Sequence, residues 1–254
     1  MELVDTHCHL QFDKLAENIS QLMKAASEAG VKRMICVGTS VEDSQQAVGY
    51  AAEYDNVWAA VGAHPHDGKS FDYKHDPGKL EALAAEPRVV AFGEIGLDFY
   101  KDYSPRAEQE KLFRRQLEIG LTAGLPFIFH VRDAWKDFWR IMADYDSVKG
   151  VVHSFSSGAK QMNAALDNGF YIGLNGIMTF TRDLAQLEAA KRLPLDRMLL
   201  ETDAPFLTPE PFRGQVCEPK HTAATAEFLA NLRQEPLEKI AEATTKNAVK
   251  LFGL

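Results

Sequence analysis

Short apolar runs recur along this 254-residue chain, and longer stretches with helical spacing separate them. Most of the runs are continuous rather than alternating, which is typical of strands that are covered on both faces of a parallel sheet. The runs cover residues 3–4, 33–37, 57–61, 89–92, 126–129, 150–152, 170–174 and 197–200. The pattern therefore predicts eight strands with helices between them.

The predicted helices have apolar residues at the i, i+3, i+4 spacing of an amphipathic helix. Segment 105–123 is the clearest, because Ser104 can cap its start, Pro105 suits its first position and Gly124 suits its end. The others cover 15–29, 42–54, 77–86, 135–145, 158–168, 183–192, 220–232 and 236–252.

Eight strands that alternate with helices over about 250 residues predict an α/β protein with a (β/α)8 TIM barrel. We find no linker or internal repeat, so we expect a single domain over residues 1–254. An open doubly wound sheet is the alternative, but it would usually place a glycine-rich phosphate loop after the first strand. His7-Cys8-His9 stands there instead.

Composition narrows the class of protein. The chain is 46% apolar and 25% charged, as in ordinary globular proteins, and its net charge of −8 excludes a uniformly basic surface but not a local basic patch. Cys8, Cys36 and Cys217 form no CxxC pair, so we expect neither a disulfide framework nor a thiolate zinc site. With no secretory signal pattern and no apolar run of ~20 residues, we expect a soluble, cytoplasmic protein without a membrane partner.

Metal-capable side chains stand at the ends of the predicted strands. They are His7, His9, His64, Glu94, His130, His153 and Asp203. Because the carboxyl ends of all strands in a (β/α)8 barrel open on one face, we expect these side chains to meet there. The first two are two positions apart on one strand, so they point the same way and can chelate one ion.

Two carboxylates have distinct expected roles. Glu94 can bridge two ions through its two oxygens, and Asp203 can act both as a ligand and as the general base beside an activated water. The other signals are weaker. His64 could orient a neighbour or contact substrate, and Arg213 could bind a phosphate or simply be exposed. Glu201 is a candidate to orient a ligand histidine.

Six sequence blocks resemble the TatD family of metal-dependent deoxyribonucleases. They are DTHCHL at 5–10, GAHPH at 62–66, GEIGLD at 93–98, FHVRDA at 129–134, HSFSSG at 153–158 and ETDAPFL at 201–207. They follow the family's order over nearly the full chain. The resemblance implies a TIM-type barrel that typically removes nucleotides from DNA ends with a 3′→5′ preference, in DNA repair or degradation. We expect single-stranded ends, because binding to an acidic protein then depends on a narrow pocket and aromatic stacking and not on a broad cationic face.

The resemblance also implies a two-metal site. His7, His9 and Asp203 would hold one ion, His130 and His153 would hold the other, and Glu94 would bridge them. His64 and Arg213 match positions associated with the substrate phosphate. The implied cofactors are two divalent ions, with Mg²⁺ for activity, although four imidazoles suit Zn²⁺ or Mn²⁺ better.

One segment departs from the family's RGxxNxP pattern, because Cys217 stands where asparagine is common. A thiol is a much weaker hydrogen-bonding group than an amide, which puts loop rigidity or substrate preference in doubt.

Three other functions stay open: an amidohydrolase or esterase such as an aminoacyl-tRNA deacylase, a phosphatase of small esters, and a metal-loaded scaffold. The sequence leaves the oligomeric state open.

Overall fold

The computed structural model describes residues 1–101 and 103–254. Within these ranges the chain forms eight strands, and their order in the sheet follows the chain from β1 to β8. The strands are β1 Leu3–Cys8, β2 Val31–Val37, β3 Val57–Val61, β4 Val89–Asp98, β5 Phe127–Arg132, β6 Gly150–Val152, β7 Tyr171–Leu174 and β8 Met198–Leu200. Neighbouring strands pair in parallel, as in β4 with β5 and β7 with β8. The predicted (β/α)8 class is confirmed.

Helices alternate with these strands. They are α1 Asp13–Ala16, α2 Ile19–Glu28, α3 Val41–Glu53, α4 Asp76–Ala84, α5 Arg106–Ala123, α6 Trp135–Met142, α7 Ala159–Asp167, α8 Ile177–Phe180, α9 Leu184–Arg192, α10 Thr222–Arg233 and α11 Leu237–Phe252. Each helix among the described residues is too short or too polar to cross a membrane.

Four details differ from the sequence-based expectations. The helix predicted over 15–29 is split into α1 and α2, and the short α8 was not predicted. Helix α5 begins at Arg106, because Pro105 has the extended backbone of a capping residue rather than a helical one. Strand β4 runs on to Asp98 instead of ending at residue 92, so Glu94 lies inside a strand.

The chain forms two compact units. The first, which we call the terminal unit, comprises Met1–Cys36 and Ser154–Leu254. Its core is formed where α11 packs on β1 and β8. The second, the central unit, comprises Val37–His153, with α3 packed on β3 and α5 on β4. Its core contains the fully buried rings of Phe92, Phe113, Phe127, Phe129 and Phe138. The single domain over residues 1–254 stays a prediction.

Candidate metal centre

The terminal unit brings together His7, His9 and Asp203, which we call the terminal cluster. The Nε2 atoms of His7 and His9 are 3.2 Å apart. The Oδ1 atom of Asp203 lies 3.7 Å from the first of these nitrogens and 3.4 Å from the second. Both histidines are buried, and the carboxylate is mostly buried.

Backbone hydrogen bonds place Asp203 beside the two histidines. The amide of Asp203 donates to the carbonyl of His7 at 2.9 Å, and the amide of His9 donates to the carbonyl of Ala204 at 2.8 Å. The buried carboxylate of Asp5 reinforces this junction, because it accepts the Thr202 amide at 2.9 Å and the Thr202 hydroxyl at 2.6 Å. The end of β1 and the segment after β8 are therefore fixed to each other.

The terminal cluster fits a divalent ion on the chemistry and spacing of its donor atoms. A tetrahedral ion with bonds of ~2.0–2.1 Å separates its ligand atoms by about 3.3–3.4 Å. The three separations in this cluster run from 3.2 to 3.7 Å, close to that value. Two imidazoles and one carboxylate are also ligands that zinc and manganese accept.

The central unit contains a second group of predicted ligands, which we call the central cluster: His64, Glu94, His130 and His153. Their donor atoms surround one oxygen, Glu94 Oε1. It lies 2.7 Å from His130 Nδ1, 3.4 Å from His153 Nε2 and 3.6 Å from His64 Nε2. The Glu94 carboxylate and the His153 ring are almost fully buried. Of these residues, His64, Glu94 and His130 form a group that could hold a metal ion.

Gly96 allows the close approach of β4 and β5 that builds this cluster. It pairs with His130 in the strand register, and its φ of +144° lies where side chains are strained. A Cβ atom at this position would lie 2.0 Å from the His130 carbonyl oxygen. Any residue other than glycine at position 96 would therefore displace the backbone of His130.

The hydrogen bonding of His64 indicates which of its ring nitrogens carries the proton. Its Nδ1 atom accepts the backbone amide of His66 at 3.2 Å. A neutral imidazole with an acceptor at Nδ1 carries its proton on Nε2, which is the nitrogen that faces Glu94. Burial holds the pKa of His64 well below its ordinary value, so the neutral form is favoured. These features favour a hydrogen-bond donor over a metal ligand.

Two residues beside the central cluster were missed as functional candidates. Asp98 is fully buried, and its Oδ2 atom lies 3.3 Å from His130 Nε2 and 3.0 Å from His66 Nε2. The sequence could have identified Asp98, because this residue lies four positions after Glu94 and residues at even spacing share one face of a continuous strand. The His66 ring is half-buried against this carboxylate.

The pKa values of this group follow from its contacts. Burial alone would raise the pKa of Asp98, but hydrogen bonds from His130 and the Lys101 amide lower it well below the ordinary range. Burial alone would lower the pKa of His130, but its contacts with Asp98 and Glu94 outweigh this and raise it. These contacts therefore make His130 easier to protonate than an ordinary histidine.

The remaining candidates lie in the terminal unit. The Arg213 guanidinium stacks 3.9 Å over the Phe180 ring and donates to the Thr208 carbonyl at 2.7 Å. The Arg213 side chain is exposed, and the sequence alone did not identify these two contacts. Glu201 accepts the amide of Ser154, the residue after His153, at 2.6 Å. Cys217 is buried, and burial raises the pKa of its thiol.

Comparison with known proteins adds to this geometry. The model of the family described as TatD related DNase matches residues 4–253. The chain belongs to this family. A Bacillus subtilis (strain 168) TatD relative named "uncharacterized metal-dependent hydrolase YabD" is 36% identical over 99% of both chains. The Escherichia coli (strain K12) protein named "3′-5′ ssDNA/RNA exonuclease TatD" is 34% identical over 99% of both.

Solved structures agree with the TatD assignment. The crystal structure of YJJV, a TatD homologue from Escherichia coli K12, superposes with a TM-score of 0.94 at 31% identity, over 99% of this chain and 98% of that one. A TatD family hydrolase from Entamoeba histolytica has the same fold, with a TM-score of 0.91 at 22% identity, over 99% of this chain and 98% of that one. The predicted family and the enzyme class, a metal-dependent hydrolase, are confirmed.

Proposed function

We propose that this TatD protein is a 3′→5′ exonuclease that hydrolyses phosphodiester bonds at single-stranded DNA ends, in DNA repair or degradation. One divalent ion would be held by the terminal cluster and another by Glu94, His130 and His153 of the central cluster. The single observation that carries the proposal is the spacing in the terminal cluster, where two imidazole nitrogens and a carboxylate oxygen lie 3.2 to 3.7 Å apart. The substrate class is that of the 34% identical relative named as an ssDNA/RNA exonuclease.

A divalent ion at such a site supplies Lewis acidity to a phosphoryl group and makes a nearby water more acidic. The chain supplies the proton acceptor. Asp203 has a second carboxylate oxygen beyond the one that faces His7 and His9, so it can accept the proton of the attacking water. Its partial exposure leaves it accessible to that water. The bridging role implied for Glu94 stays a prediction.

His64 and Arg213 are each proposed to bind a substrate phosphate group. His64 offers the Nε2 proton identified above to a non-bridging oxygen. Arg213 uses one guanidinium nitrogen on the Thr208 carbonyl and keeps the other donors of its planar fork for phosphate. Stacking on Phe180 holds the guanidinium plane in a fixed orientation.

The metal preference follows from the donor sets. Imidazole nitrogens favour Zn²⁺ or Mn²⁺ over Mg²⁺, which prefers oxygen ligands and retains its waters. We propose that Zn²⁺ or Mn²⁺ binds more tightly, whereas Mg²⁺ supports turnover at cellular concentrations.

The experiment that tests this proposal compares substrates in parallel. Purified protein is incubated with a 5′-labelled single-stranded oligonucleotide, an aminoacyl-tRNA and p-nitrophenyl phosphate, each with Mg²⁺, Mn²⁺ or EDTA. Asp203→Asn is the matched inactive control. We expect a ladder of products shortened from the 3′ end that requires metal and Asp203.

Other products would contradict the proposal. Asp203-dependent release of the amino acid from tRNA, with intact DNA, would identify an acyl hydrolase. Turnover of the small ester alone would identify a phosphatase, and no turnover of any substrate would favour a metal-loaded scaffold.

A further inference from the structure

Asp98 has all four acceptor positions of its carboxylate engaged. Its Oδ1 atom accepts the backbone amides of Tyr100 at 3.0 Å and Lys101 at 2.9 Å. Its Oδ2 atom faces His66 Nε2 at 3.0 Å and His130 Nε2 at 3.3 Å. A carboxylate has about four lone-pair sites and no proton to donate, so this environment matches an ionised Asp98.

The backbone of Asp98 is also fixed. The side chain of Gln109 accepts the Asp98 amide at 2.9 Å through Oε1 and donates to the Asp98 carbonyl at 3.0 Å through Nε2. The same Nε2 donates to the Ser104 carbonyl at 2.8 Å. Both Asp98 and Gln109 are almost fully buried. The carboxylate therefore keeps its position relative to the histidines.

The two ring nitrogens of His130 face two different carboxylates, those of Glu94 and Asp98. Nδ1 lies 2.7 Å from Glu94 Oε1, the atom around which the other central-cluster nitrogens gather. Nε2 points away from that group, toward Asp98. A neutral imidazole has one N–H and one lone pair, so an acceptor fixed at Nε2 leaves the lone pair on Nδ1.

We propose that Asp98 is a positioning residue that holds His130 in its Nε2–H tautomer and so presents Nδ1 as the metal-binding atom of the central cluster. The inference rests on the proposed metal-dependent function. Asp98 would contact neither the ion nor the substrate. It acts through His130, as carboxylates commonly do toward histidine ligands of metals.

Replacing Asp98 with asparagine tests the tautomer directly. The amide has one acceptor oxygen and one NH₂ group, and the two backbone amides of Tyr100 and Lys101 occupy the oxygen. The NH₂ group would then face His130, where it requires an acceptor at Nε2. The proton moves to Nδ1, and the lone pair needed for the ion is lost.

The first measurement is calorimetric titration of EDTA-treated protein with Zn²⁺ alone. In Asp98→Asn we expect the affinity for one of two Zn²⁺ ions to fall about 10- to 100-fold, with the other unchanged. Asp67→Asn is the charge-matched control, because this half-buried carboxylate of the central unit has no hydrogen bond to a histidine among the described residues. We expect it to leave both affinities within threefold.

The second measurement uses the wild-type protein, so it does not depend on how a variant folds. The protein is loaded with ¹¹³Cd²⁺ and ¹⁵N-labelled at histidine, and metal–nitrogen couplings are read by NMR. We expect coupling from His130 Nδ1 and a proton on its Nε2.

Coupling from His130 Nε2 would overturn the proposal. So would equal weakening of both Zn²⁺ ions, or no weakening of either, in Asp98→Asn. Failure of the proposed function is distinguishable, since it would appear as intact oligonucleotide despite wild-type metal binding.

Discussion

The backbone amide of Asp203 donates a hydrogen bond to the carbonyl oxygen of His7 at 2.9 Å. This bond joins a residue of the first strand to one just after the last strand. Their side chains consequently lie with His9 in a group whose donor atoms have the spacing of metal ligands.

Removing the Asp203 carboxylate tests the terminal cluster. Because Asp203→Asn replaces the charged carboxylate with a neutral amide and removes the proposed proton acceptor, we expect kcat/KM on a single-stranded oligonucleotide to fall by about 10²- to 10⁴-fold. Metal analysis should show the loss of one ion per chain. Asp196→Asn changes an exposed carboxylate just before β8 and is the matched control, which should keep both metal ions. Undiminished turnover in Asp203→Asn would refute the assigned role.

Adding a methyl group at Gly96 tests how closely β4 and β5 must approach. The new Cβ would meet the His130 carbonyl oxygen at 2.0 Å on a strained backbone, so Gly96→Ala should lower the free energy of unfolding by about 2 kcal/mol or more. Gly49→Ala is the control, because Gly49 lies in α3 with open space around its Cβ position. It should stabilise the protein by roughly 0.5–1 kcal/mol. Urea unfolding measures both, and equal stability of the two variants would contradict the account.

Acid should destabilise the protein through His221. This ring is buried against Phe212 and its Nδ1 accepts the Glu218 amide at 3.0 Å. Burial first, and then the charge of Lys220, lowers the pKa of His221 below its ordinary 6.5. The unfolded chain therefore binds the proton more readily, so this stabilisation is present above pH 6.5 and is lost as the pH falls toward the lowered value.

His221→Asn places an amide oxygen near the position of Nδ1 and cannot take up that proton. Urea unfolding at several values between pH 7.5 and 5 should show a flatter decline for this variant than for the wild type. His75→Asn is the control at an exposed histidine and should retain the wild-type decline. The same slope in all three proteins would show that His221 does not contribute.

An exposed ring beside the terminal cluster predicts base stacking. Phe206 is 48% exposed, and its ring centroid lies 6.4 Å from His9 and 6.0 Å from Phe12. Stacking of a base on an aromatic ring contributes about 1–3 kcal/mol, so Phe206→Ala should weaken binding of single-stranded DNA roughly 5- to 150-fold. Fluorescence anisotropy with a phosphorothioate oligonucleotide measures this without cleavage. Leu184→Ala, at the 78% exposed Leu184, should bind normally, and equal affinities would exclude this stacking site.

The sequence predicted most of the fold because parallel strands buried on both faces leave continuous apolar runs. It also predicted the members of both clusters, since His7 and Asp203 follow runs whose carboxyl ends meet in a (β/α)8 protein. Asp98 was missed because the apolar run stops at Phe92, whereas the strand continues through two glycines to Asp98. A period of two along that longer strand would have placed Asp98 on the face of Glu94.

Other features depend on contacts that no local pattern encodes. The tautomer of His64 follows from one backbone amide two residues later, and the orientation of Arg213 follows from Phe180, which lies in the unpredicted α8. Pro105 fits either a first helical position or the residue before it, so the boundary of α5 was wrong by one residue.

We propose that each cluster binds a divalent ion used for phosphodiester hydrolysis. Anomalous diffraction from crystals soaked with Mn²⁺ and thymidine 5′-monophosphate tests it most directly. We predict one manganese peak bonded to His7, His9 and Asp203, a second bonded to Glu94, His130 and His153, and a nucleotide phosphate bound to manganese. Crystals with the nucleotide bound elsewhere and no manganese at either cluster would contradict the account.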